Sequence, residues 1–210
     1  MSNVRQDSSS VRAMDQLWLT RDVSQDLINR INSIDLQIAE YSDRLDRQQQ
    51  NLDIALRATA NAPEERPRVG RQESKLEATQ RALETFDQTA NILAGALFQV
   101  VKQAMSTVHG RLRNCPDSGR VIHGVDVREI VWYARNQAMH FEETNAGSKF
   151  IATFAKLNSA LPGTFTIEPP FVSRAKAVFD LLGWQSYSVY EADVMALLRG
   201  ARCESGKLNP

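Results

Sequence analysis

The chain is poor in everything that staples a fold from outside its own core. Its 210 residues include two cysteines, Cys115 and Cys203, far apart and without a C-x-x-C spacing. Neither a disulfide framework nor a thiolate zinc site is expected from them. Histidine is equally scarce: His109, His123 and His140 are the only three. Their separations do not suit a metal site, so no metal and no cofactor is assigned. Ten glycines and seven prolines fall mostly outside the patterned stretches, which excludes a turn-rich sheet protein and low-complexity disorder. The longest nearly apolar run, residues 92–101, is interrupted by Gln99 and falls far short of the roughly 20 residues that span a bilayer. The opening MSNVRQDSSS has no apolar h-region, and the expectation is a cytoplasmic protein with no membrane segment. Net charge is also missing, 25 basic residues facing 25 acidic ones, so any polyanion site must be local. What remains is mainly helix.

From Leu27 the apolar residues keep a seven-residue register. Ile31, Ile38, Leu45 and Leu52 make one row, and Leu27, Ile34, Tyr41 and Ala55 the other, with Gln48 the polar intruder. Residues 60–71 hold Pro63, Pro67 and Gly70 among charges, which should stop the helix and reverse the chain. A second series follows: Leu76, Leu83, Ala90, Leu97 and Ala104 beside Thr79, Phe86, Leu93 and Val100. The spacing predicts a long antiparallel, coiled-coil-like hairpin over residues 11–109. Residues 1–10 are expected to be disordered and 204–210 to form a loose tail. Residues 110–203 complete a single all-α helical bundle spanning 11–203.

The stretch GRLRNCPDSGRVIHG, with three arginines against one aspartate, reads as a basic loop. Arg111, Arg113 and Arg120, with Arg128 beyond them, are candidate RNA-binding residues or simply a hydrated surface. Asp126 followed by Glu129 has capping-box spacing and should start a third helix, running to about residue 143, with Asn145 and Gly147 ending it. Shorter helices are expected over 149–158, 173–182 and 188–199.

In the third helix Val127, Ile130, Val131, Ala134, Ala138 and Phe141 share one face. With Val127 at zero, Asn136 falls at roughly 180° and His140 at roughly 220°, while Arg135 borders the apolar face at roughly 80°. Trp132, Tyr133 and Met139 also lie on the outer side, so they either pack on another helix of the chain or form a dimer interface. A two-fold pair built on this face brings two His140 side chains and two Arg135 side chains into one cleft. Such a constellation suits RNA cleavage by internal transesterification. One imidazole takes the 2′-hydroxyl proton, the other protonates the leaving oxygen, and the guanidinium groups stabilise the phosphoryl charge. Asn136 would orient the imidazole or hold the ribose. The structural alternatives are an interface histidine and an Arg135 paired with a carboxylate such as Glu142.

The segment RNQAMH, from Arg135 to His140, resembles the R-N-x-x-x-H signature of the HEPN domain superfamily. The resemblance covers six residues and implies an all-helical, dimeric, metal-independent endoribonuclease of a toxin–antitoxin, abortive-infection or other antiphage system. It also implies that Arg135 and His140 are the catalytic pair, that Asn136 supports them, and that an antitoxin or other defence protein is a partner. Some family toxins carry, two places past the histidine, a tyrosine that a nucleotidyltransferase modifies. Here that position is Glu142, so silencing by that route is not implied. The rival from another class is a non-catalytic helical scaffold or regulatory partner-binding module. A nucleotide-binding module would want a glycine-rich phosphate loop, which the chain lacks.

Overall fold

The two heptad series form two long helices, α1 (Asn3–Thr59) and α2 (Arg66–His109). The computed structural model describes residues 3–59, 66–141, 147–167 and 172–199, without the side chains of 3–14 and 16. The helix begins at Asn3, within the stretch expected to be disordered, whereas the expected tail at 204–210 lies outside the described residues. The chain reversal is shorter than residues 60–71. α2 takes Pro67 into its first turn, where no amide donor is needed and the fixed φ of proline suits a helix.

Among the described residues four further helices follow: α3 (Val127–His140), α4 (Ser148–Ala160), α5 (Ala175–Leu181) and α6 (Tyr187–Leu198). The fold is all-α apart from one small hairpin, and among the described residues no helix is long and apolar enough to cross a membrane. Packing divides the chain into two units, Arg30–Ala90 and the remainder, Met1–Asn29 with Asn91–Pro210.

In the Arg30–Ala90 unit α1 and α2 pair antiparallel. The Tyr41 ring meets Phe86 edge to face at 5.1 Å, and Leu52, Ala55 and Val69 form a buried cluster with Leu76 against it. Apart from Val69, which lies in the 60–71 stretch expected to break the helix, these are residues of the heptad rows, so heptad spacing set the pairing. The outer faces carry i,i+4 pairs such as Glu40–Arg44, worth a few tenths of a kcal/mol each.

The other unit closes over a denser core. Phe98 of α2 packs on Trp184 at 5.2 Å, and Tyr190 of α6 meets Trp184 edge-on at 5.0 Å; all three are buried. Their polar atoms are satisfied inside. Trp184 Nε1 donates to Asp193 Oδ2 at 2.8 Å, and the Tyr190 and Ser24 hydroxyls share a 2.8 Å hydrogen bond. Such pairing is what makes burial of indole and phenol favourable.

The basic loop has more structure than expected. A 3-10 turn, Leu112–Asn114, leads to two short antiparallel strands, β1 (Val121–Ile122) and β2 (Val125–Asp126). His123 and Gly124 join them with φ of +48° and +75°, the paired left-handed conformation that a two-residue hairpin turn requires. Asp126 then caps α3, its Oδ1 accepting from Glu129 N at 2.8 Å, as the capping spacing anticipates. α3 ends at His140 with Phe141 as its cap; the expected stop at Asn145 lies outside the described residues.

Candidate phosphodiester site on the third helix

α3 lies close along α2. A Cβ placed on Gly95 would stand 3.0 Å from the Cβ of Ala138, so a glycine is what lets the helices approach this far. Gln99 and Lys102 follow Gly95 by about one and two turns on the same face of α2. Running antiparallel, they meet α3 one turn closer to its start, at Arg135, Asn136 and Trp132.

The contacts there are specific. Arg135 Nε donates to Gln99 Oε1. Arg135 Nη1 lies 3.4 Å from Asn136 Oδ1, and Lys102 Nζ reaches the same oxygen, also at 3.4 Å. The Lys102 ammonium stands 4.7 Å from the centre of the Trp132 ring, a cation–π contact. Burial, then the nearby Arg135 charge, holds the Lys102 pKa below its ordinary value. His140 is exposed one turn beyond Asn136, on the outer side given by the helical angle. It stands about 7.5 Å along the axis from Arg135.

The apolar face of α3 points inward as expected, with Val127, Ile130, Val131 and Ala134 buried. Gln137, inside the RNQAMH segment, is buried with them. Its Nε2 donates to the Val172 carbonyl and its Oε1 accepts from Arg174 N, both at 2.7 Å. That side chain bonds the segment leading into α5 onto α3, a structural task within the motif.

Of the outer residues, Tyr133 packs edge-on against Phe150 of α4 at 6.3 Å, and its hydroxyl pKa is raised by burial and by Glu129. Trp132 and Tyr133 are thus half-buried against their own chain, while Met139 is 53% exposed.

The four arginines separate. Arg111, Arg113 and Arg128 line a groove of about 710 Å³ together with Lys149, Trp132 and Tyr133. Glu129 is the acid on that lining, so the groove is cationic with two aromatic walls. Arg128 also braces it, Nη1 donating to the Cys115 carbonyl at 2.8 Å, while its Nη2 pairs with Asp126 at 3.3 Å and so offsets part of the groove's positive charge. Arg120 is committed elsewhere. Its Nε and Nη2 fork onto Asp193, each at 2.9 Å, and Nη2 also donates to the Leu182 carbonyl. It ties the β-hairpin to α5 and α6.

His109 is a tie as well, its Nε2 lying 2.9 Å from the Leu197 carbonyl, and His123 sits in the hairpin turn. Among the described residues no group of three His, Cys, Asp or Glu side chains is placed to hold a metal ion. Sequence reasoning passed over Gln99, Lys102, Gln137 and Lys149. Gln99 had a signal, as the polar break in an apolar run; Lys102 had none.

No protein-family model, curated protein or solved structure matches the chain.

Proposed function

We propose that the chain is a metal-independent endoribonuclease of HEPN type, acting as a homodimer and serving as a toxin or antiphage effector in the cytoplasm. The observation that carries this reading is an exposed His140 one turn past Asn136, on the helix whose Arg135 is oriented by Gln99. The cationic, aromatic groove two turns upstream on the same helix adds a surface suited to a ribose-phosphate strand.

In the proposed reaction one His140 imidazole removes the 2′-hydroxyl proton as O2′ bonds to phosphorus. The P–O5′ bond breaks, and the second subunit's imidazolium gives its proton to the leaving oxygen. Arg135 stabilises the charge on the non-bridging oxygens. The products are a 2′,3′-cyclic phosphate and a 5′-hydroxyl. Met139, exposed beside His140, belongs to the contact that brings the two copies together, and an antitoxin would restrain the enzyme by covering the same face.

The test is a set of three oligonucleotides of one sequence, incubated with the protein in excess chelator. An RNA strand should be cut, while a 2′-O-methyl strand and a DNA strand survive; cleavage of either of those would contradict internal transesterification. A second reading, a helical scaffold, draws on the Arg135 bonds to Gln99 and Asn136, which also serve as a strut between helices. It predicts that the RNA strand stays intact as well.

A further inference from the structure

We infer that Lys102 and Arg135 form a phosphate-binding site, with Lys102 the second cation that holds the phosphodiester. The inference takes its substrate from the nuclease reading above and its site from geometry alone. Each cation lies 3.4 Å from one and the same atom, Asn136 Oδ1, so the two nitrogens are separated by at most twice that distance. A tetrahedral oxyanion bridges such a gap, taking hydrogen bonds from both sides.

The groups that hold the two cations orient them without neutralising them. Gln99 fixes the Arg135 guanidinium, Trp132 carries the Lys102 ammonium on its face, and Asn136 offers an amide oxygen to both. All three are uncharged. A salt-bridge strut would place a carboxylate where Asn136 stands, since aspartate has nearly the same shape. Among the described residues the bonds that Lys102 and Arg135 make go to amides and a ring. Two like charges held together in partial burial raise the free energy of the empty site, and an anion relieves it. The Lys102 pKa is lowered first by burial and then by the Arg135 charge.

Asn136 also supplies the test. Asn136→Asp puts a carboxylate between the two cations and fills the site from within, and Lys102→Gln removes one cation. Binding of inorganic phosphate and of an uncleavable 2′-deoxy oligonucleotide would be measured by calorimetry on wild type and both variants, with circular dichroism as the fold control. Wild type should bind both ligands. Each variant should bind them about tenfold more weakly, and Lys102→Arg should recover most of the loss. No binding by wild type, or unchanged binding by both Lys102→Gln and Asn136→Asp, overturns the inference. RNA cleavage assayed on the same proteins keeps the two proposals apart. Phosphate binding that needs Lys102 without any cleavage supports this site and ends the nuclease reading. Cleavage with binding indifferent to Lys102 does the reverse.

Discussion

Replacing Arg120 with methionine should cost stability without touching nucleic-acid binding. The guanidinium makes two parallel 2.9 Å bonds to Asp193 and a third to the Leu182 carbonyl. Methionine removes all three and leaves the Asp193 carboxylate, 8% exposed, with the Trp184 indole still donating to it at 2.8 Å. Breaking a fully buried pair costs about 3–5 kcal/mol. The Arg120 side chain is 44% exposed, so water reaches the pair and the expected loss falls to about 2 kcal/mol. For a chain of this size that lowers Tm by about 4–8 °C. Thermal unfolding followed by circular dichroism reads the shift, and Arg120→Lys, a point charge without the fork, should fall between. An Arg120→Met protein with wild-type Tm and weakened RNA binding would refute the reasoning and make Arg120 an RNA contact.

Three further outcomes follow from the packing. Gln137→Ala orphans the Val172 carbonyl and the Arg174 amide and should cost about 2–4 kcal/mol in chemical denaturation; a loss under about 0.5 kcal/mol would mean the pair is resolvated. Gly95→Val drives a branched side chain into Ala138 and should cost about 1–3 kcal/mol, while lowering phosphate affinity because Gln99 and Lys102 move away from α3; a stable variant with full affinity would contradict the close approach. Burial raises the Cys115 thiol from 9.0 to about 11. The folded state therefore keeps its proton longer than the unfolded state. The stability from burying the neutral thiol is full below about pH 9 and declines between about pH 9 and 11. Cys115→Ala should show a shallower loss over that window in denaturation midpoints, and identical slopes would count against the burial argument.

The long helices were legible because heptad spacing is a local signal repeated many times, and Tyr41 against Phe86 simply realises it. The cap at Asp126 was legible for the same reason: its partner is three residues away. The β-hairpin was not, since two residues per strand are too few to establish a period, and the His123–Gly124 turn does not carry the Asn-Gly or Asp-Gly pair that marks such turns. The Asp193–Arg120–Trp184 cluster was invisible because it joins residues 73 and 9 positions apart in sequence. Helical angle placed His140 outside and Arg135 at the border. It could not show that Gly95 draws Lys102 and Gln99 onto that border, a contact made 34 to 36 residues upstream.

The most direct test of the account is cleavage of a labelled RNA by purified wild type and His140→Ala protein in chelator, with end-group analysis of the fragments. Wild type should leave 2′,3′-cyclic phosphate ends. His140→Ala should leave the RNA whole while keeping the wild-type circular dichroism spectrum. Intact RNA with the wild type, or equal cleavage by the folded variant, would contradict the claim that His140 moves the proton.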